Sequence, residues 1–227
     1  MNFACVFYGN KYKPIYVQNL YNMVNRHLTI PHKFICFTDH VKLNKIIKGD
    51  IEFRPFKRHD FQGWFNKLQL FSPESELNGE TLYTDLDIVI LDNINCFADH
   101  GGQNKFVGMN DFNPATKIFN SSIMKFNNNV CSDMIWNEYM KNRNYYKKHP
   151  GDQNIISEIV LKDKNLKNVN RFPDEWTQSY KWYDRKGERY HKSKWTFEKA
   201  PTTKIAVFHG QPNPHESDQN WVKNNWK

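Results

Sequence analysis

The sequence predicts an α/β fold built on a mainly parallel sheet with helices on its faces. Two observations carry this expectation. Short apolar runs at residues 3–8 and 33–38 read as buried strands. Between them, Val17, Leu20, Tyr21 and Val24 recur at helical spacing after Pro14, a residue tolerated in a first helical turn. Strand–helix–strand alternation of this kind favours parallel pairing. The length, 227 residues, suits one domain over 1–227 with a core that needs no staples.

Residues 51–54 make a third short strand. In such sheets ligands sit beyond the carboxyl ends of the strands, where Tyr8, Tyr12, Thr38 and Asp39 would lie. No GxGxxG run follows the first strand, so a dinucleotide fingerprint is absent. Residues 63–71 read as a helix with Trp64, Leu68 and Phe71 on one face. Lys67 stands beside that stripe, either snorkelling to water or reaching a phosphate.

Residues 82–91 read as one buried strand carrying two carboxylates, Asp85 and Asp87, on the same parity. Two close anions in an apolar setting repel each other and lose hydration. A hard divalent cation relieves both costs. The plain alternative is a half-exposed strand with a solvated polar face.

Residues 106–109 and 120–126 are further strands, and 132–140 a helix. Another helix carries Ile155, Ile156, Ile159 and Val160, with Asp152 as its natural N-cap. From about residue 162 the chain turns polar, aromatic and basic, with Trp176, Tyr180, Trp182, Tyr183, Tyr190 and Trp195 among lysines and arginines. The segment 160–200 is either an acceptor-side platform or a cover. A last strand, 204–208, delivers His209 at its end, a position suited to a third metal ligand.

The net charge of +8 favours anionic partners such as sugar nucleotides, nucleic acid, anionic lipid or acidic glycans. The denser basic runs, 141–148 and 181–194, read as solvated faces. No arginine-rich tail or nucleic-acid-binding motif accompanies them. The four cysteines lack Cys-x-x-Cys spacing, which points to free thiols and a reducing compartment. The start lacks the basic opening of a signal peptide, and no apolar run approaches the ~18 residues of a membrane span. A cytoplasmic location is the expectation.

Six pieces now stand in order: Phe7-Tyr8-Gly9-Asn10-Lys11-Tyr12, Trp64-Phe65-Asn66-Lys67-Leu68, Tyr83-Thr84-Asp85-Leu86-Asp87, Phe119-Asn120-Ser121-Ser122-Ile123-Met124, Gly151-Asp152-Gln153 and Phe208-His209-Gly210. Their order resembles that of the GT-A glycosyltransferases, most closely glycosyltransferase family 8, the glycogenin and bacterial galactosyltransferase group. The resemblance runs from residue 1 to about 210 and is weak between 160 and 200. It implies a GT-A fold, a Rossmann-like mixed sheet, and metal-dependent transfer of a hexose from a nucleotide sugar, most simply UDP-linked, with retention.

By the same resemblance, Tyr8 and Tyr12 border the base, and Asp39 contacts the base or ribose. Lys67 neutralises donor phosphate. Asp85, Asp87 and His209 hold Mn²⁺ or Mg²⁺. Asn120, Ser121 and Gly210 also belong to the donor site, and Asp152 and Gln153 face the reacting centre. The acceptor is a glycan, lipid or protein. One departure stands out. The family's Lys-Pro-Trp run after the metal histidine is replaced by Gln-Pro-Asn-Pro-His-Glu at 211–216. A phosphate-binding lysine is thus missing, or replaced by Lys223 or His215. Two other readings stay open: a degenerate GT-A domain that binds without turnover, and a basic nucleic-acid-binding protein.

Overall fold

The computed structural model describes residues 1–40, 42–102, 106–113, 115–162, 169–183, 188–189 and 199–227. Its main sheet has seven strands in the order β3-β2-β1-β4-β7-β6-β8. These are β1 (Asn2–Phe7), β2 (Lys33–Thr38), β3 (Ile51–Pro55), β4 (Glu80–Thr84), β6 (Val107–Asn110), β7 (Phe119–Asn127) and β8 (Asn170–Arg171). Strands β3, β2, β1 and β4 run parallel, as does the β6–β8 pair, whereas β7 lies antiparallel between β4 and β6. The expected mainly parallel sheet is therefore present.

Alternation along β1 divides the core. Phe3, Cys5 and Phe7 pack with Val17, Leu20, Met23 and Val24 of the Ile15–His27 helix. Ala4 faces the other layer, with Phe71, Tyr83, Met124, Ile155, Ile156 and Ile159. Both faces are covered, and all nine residues of β7 are buried, including the polar Asn120, Ser121, Ser122, Lys125 and Asn127.

The stretch 82–91 is not one strand. Strand β4 ends at Thr84, and the chain bends through residues 85–87. It resumes as β5 (Ile88–Ile90) in a second sheet, between which and β9 (Thr177–Ser179) lies β12 (Ile205–Val207). The same-parity argument for Asp85 and Asp87 fails across this bend. A carboxylate suits a buried ladder poorly, and the chain leaves the sheet where the two stand. The bend is pinned by backbone bonds: Asp85 N–H donates to the Ser122 carbonyl (2.8 Å), and Phe208 N–H to the Asp87 carbonyl (2.9 Å).

Residues Gly63–Phe71 form a 3₁₀ helix. Three residues per turn break the α-helical spacing that would join Trp64 to Leu68 and Phe71 in one stripe. Trp64 is 58% exposed and Lys67 only 6%, the reverse of a snorkelling lysine beside an apolar stripe. Residues 132–140 form as a π turn, Ser132–Trp136, running into an α turn, Asn137–Lys141.

Asp152 is the first residue of the Asp152–Lys162 helix rather than its N-cap. The Gly151 carbonyl accepts from Ile155 N–H (3.4 Å), so Gly151 takes the capping position. The Asp152 carboxylate is drawn instead to a buried lysine.

A hairpin of β10 (Trp182–Tyr183) and β11 (Glu188–Arg189) lies in the aromatic, basic segment. Tyr190, Trp195 and nearly half of the expected 160–200 cover lie outside the described residues. Two of its aromatics pack on the core, Tyr180 within it and the half-buried Trp176 against it. Tyr180 stacks on Phe208 with centroids 4.2 Å apart, and Trp176 packs on Phe97 at 5.2 Å. All four cysteines are free. Among the described residues no helix is long and apolar enough to cross a membrane.

Candidate active site

A cavity of about 750 Å³ opens beyond the carboxyl ends of β1 and β4. The antiparallel course of β7 brings its first residues to the same edge, because Thr84 pairs with Ile123. Asn120, Ser121 and Ser122 thus face the Asp85–Asp87 bend. Every site residue expected from the sequence lines this cavity except Asp39. Asp39 accepts from Gly9 N–H at 3.1 and 3.3 Å and so anchors the loop after β1.

Lys67 sits at the centre. Its ammonium lies 2.9 Å from Asp85 Oδ1 and 2.9 Å from Asp152 Oδ2. It also donates to Ser121 Oγ (3.0 Å) and lies 3.3 Å from the Ser121 carbonyl. Ser121 Oγ donates in turn to Asp152 Oδ2 (2.6 Å). Burial alone pushes the lysine pKa down, but the two carboxylates outweigh it, and the net shift is upward. Lys67 therefore stays charged. It ties the 85–87 bend to the first turn of the Asp152–Lys162 helix.

The two aspartates of the bend differ. Burial pushes the Asp85 carboxyl up, but Lys67 and the Tyr83 hydroxyl, 2.6 Å away, bring it below the ordinary range. Among the described residues Asp87 pairs with no buried cation. The Tyr12 hydroxyl donates to its Oδ2 (2.8 Å) and Gly210 N–H approaches at 3.4 Å. Burial and the negative charge of Asp85 raise its pKa, and Lys11, Tyr12 and Gly210 offset this only in part. Burial and Asp87 also push the Tyr12 phenol far up, so Tyr12 remains a donor.

His209 follows β12 with φ 28°, and Gly210 has φ 97°. The left-handed region is open to glycine at no steric cost, which lets the backbone turn its N–H to Asp87. The His209 ring stacks on Phe112 with centroids 5.4 Å apart, and its Nε2 lies 2.6 Å from Ser179 Oγ. Among the described residues no three His, Cys, Asp or Glu side chains already stand as a metal-coordinating group. The chemistry of the donors still fits a hard divalent cation. Asp87 is a buried carboxylate on which the negative charge of Asp85 outweighs the positive charge of Lys11. For His209 to join through Nε2, that nitrogen must leave the Ser179 hydroxyl.

Of the cavity residues without a role in the sequence reading, two carry charge, Asp111 and Lys11. Asp111 Oδ2 accepts from Gln153 Nε2 (3.2 Å) and Asn120 Nδ2 (3.5 Å). It lies in a turn after β6, where Asn-Asp-Phe-Asn reads only as loop. Lys11 was in view within the first motif, but nothing in the chain marked it as facing Asp87. The suggested replacements for the missing lysine do not line the cavity: His215 Nδ1 meets the Tyr16 hydroxyl at 2.5 Å, and Lys223 lies 3.7 Å from Asp218.

Neither protein-family models nor curated proteins match the sequence. Solved structures do. An active-site Gln→Glu variant of LgtC is 13% identical, with a TM-score of 0.66, 99% of this chain covered and 93% of LgtC. The galactosyltransferase LgtC in complex with donor and acceptor sugar analogues gives 13%, 0.64, 96% and 90%. The glycosyltransferase GlyE of Streptococcus pneumoniae TIGR4 gives 16%, 0.67, 98% and 61%, so the chain spans about three fifths of that protein. At these identities the likeness is one of fold. The chain folds as a GT-A domain, the architecture these glycosyltransferases share.

Proposed function

We propose that this chain is a glycosyltransferase that moves a hexose from a nucleotide sugar, most simply a UDP-linked one, to a glycan, lipid or protein acceptor. The observation that carries the reading is the Asp85–Lys67–Asp152 array. It holds the two-aspartate bend and the Asp152-Gln153 pair on one cavity, at the ligand edge of a GT-A sheet.

Tyr8 and Tyr12 border the nucleotide base, and Asn120, Ser121 and Gly210 approach the donor. Asp85, Asp87 and His209 would hold Mn²⁺ or Mg²⁺. When bound, the cation supplies positive charge to the departing diphosphate. Lys67 adds a fixed charge to that end of the site. Its direct bonds are to Asp85, Asp152 and Ser121, so its part is to preorganise both carboxylates. Asp152 is buried beside Lys67 and steadies the positive charge that develops at the anomeric carbon. Asp111 accepts from the Gln153 amide nitrogen. An acceptor-only carboxylate allows one orientation of that amide and leaves its oxygen to the sugar. Retention of configuration rests on the resemblance to family 8 alone.

The test is donor turnover. Purified protein with Mn²⁺ and a panel of UDP-, GDP- and CDP-hexoses should release nucleoside diphosphate slowly without an acceptor. Excess chelator should stop the release, and Mn²⁺ should restore it. Neither binding nor turnover of any donor would sink the reading. One observation favours a binding-only domain: Lys67, Asp85 and Asp152 already satisfy one another. Donor binding without hydrolysis or transfer would establish that alternative.

A further inference from the structure

The lysines lining the cavity are Lys11 and Lys67. The three N–H bonds of Lys67 are committed to Asp85, Asp152 and Ser121. Lys11 is different. It is exposed, and its ammonium rests over the Tyr12 ring, 4.5 Å from the centroid. Among the described residues it makes no ion pair and no hydrogen bond.

Its place matters. Lys11 stands on the loop that leaves β1 at the carboxyl edge of the parallel strands, where this kind of sheet receives ligands. It also lies near enough to Asp87 to lower the pKa of that carboxyl. The other cations near this end already have partners. Lys181 donates to the His209 carbonyl (3.1 Å), Lys223 lies by Asp218, and His215 meets Tyr16. None of the three lines the cavity.

We propose that Lys11 docks the diphosphate of the donor, in place of the lysine absent downstream of His209. This rests on the nucleotide-sugar reading. A four-carbon stem lets the ammonium leave the Tyr12 face and act as a mobile point charge on phosphate. The loop after the first strand would then hold both the base, through Tyr12, and the phosphates, through Lys11.

The experiment is calorimetric titration in Mn²⁺. The best-binding diphosphate among UDP, GDP, CDP and ADP is compared with its own nucleoside. The proteins are wild type, Lys11→Met, Lys11→Arg and Lys13→Met, the last changing a neighbouring exposed lysine outside the cavity. Lys11→Met should weaken the diphosphate by about tenfold or more, the scale of a lost hydrogen bond to a charged group, and leave the nucleoside within about twofold. Lys11→Arg should retain most of the affinity, and Lys13→Met all of it. Raising salt should weaken the wild type more than Lys11→Met. Equal diphosphate affinity of wild type and Lys11→Met overturns this assignment and leaves the nucleotide-sugar reading standing. A wild type that binds none of the four diphosphates overturns both.

Discussion

Asp85 and Asp87 are two residues apart, both face one cavity, and their environments are opposite. Asp85 is matched by a buried full charge, Lys67, and its pKa falls. Asp87 is matched by neutral donors, the Tyr12 hydroxyl and the Gly210 N–H, and its pKa rises. Dipoles relieve a buried anion less than a counter-charge does. The lesson is that one end of this site is complete in the protein alone, whereas the other end is short of positive charge. A cation and a ligand would complete the second end.

The sharpest way to break the comparison is to remove the counter-charge. Lys67→Met leaves Asp85 and Asp152 buried together without a cation. Breaking a buried pair from one side costs about 3–5 kcal/mol, and a domain of this size should lose ~6 °C or more in Tm. Calorimetry checks this. A shift below about 1 kcal/mol would mean that the array carries little of the local stability.

Next is Asp152→Asn. An amide still accepts from Ser121 and Lys67, so the stability loss should stay near 1–2 kcal/mol. Transfer should fall by about a hundredfold, because the carboxylate charge is gone while diphosphate affinity stays within about threefold. Initial rates and titrations on one preparation separate these effects. A rate within about threefold of wild type would reduce Asp152 to a structural partner of Lys67.

The third test sets the two aspartates against each other in chelator. Asp85→Asn removes one partner of a buried pair and should destabilise by about 2–3 kcal/mol, whereas Asp87→Asn relieves repulsion and should fall within about 0.5 kcal/mol of wild type. In Mn²⁺, both variants should lose the cation-dependent rise in Tm that the wild type shows. Equal losses in chelator would erase the contrast.

The smallest effect lies outside the cavity. Glu158 meets His149 (2.6 Å) and Lys162 (2.5 Å). Burial opposes its charge, but these partners and Tyr145 hold its pKa at about 2. A depressed carboxylate adds stability above its unfolded pKa of about 4.3, and that stability is lost as pH falls toward about 2. Lys162 is largely exposed, so Glu158→Gln should cost no more than about 1 kcal/mol at pH 7. The difference from wild type should shrink between pH 5 and pH 2 in urea titrations; a difference that is constant with pH would exclude this origin.

Much of the fold was legible in local pattern. The runs around Phe3 and Phe34 are strands, and Val17, Leu20 and Val24 form a buried helix face, because periodicity follows directly from side-chain direction. The order of six short motifs also brought eleven of the twelve expected site residues to one cavity, all but Asp39. Local pattern failed where the backbone departs from a regular period. Residues 63–71 wind as a 3₁₀ helix in which Trp64 is exposed and Lys67 buried, and the bend at 85–87 split a run that alternates like one strand.

The sequence by itself determined the alternating elements, the unpaired cysteines and the residue types available for phosphate and sugar chemistry. Tertiary structure alone decided their partners. Lys67 meets Asp85 and Asp152 only because the 3₁₀ helix, the β4 end and the Asp152–Lys162 helix converge on β7. Asp111 meets Gln153, forty-two residues away, for the same kind of reason. The physical cause is range. Backbone preferences act over a few residues, whereas the charge balance of a buried carboxylate is set by whatever distant segment the fold packs against it.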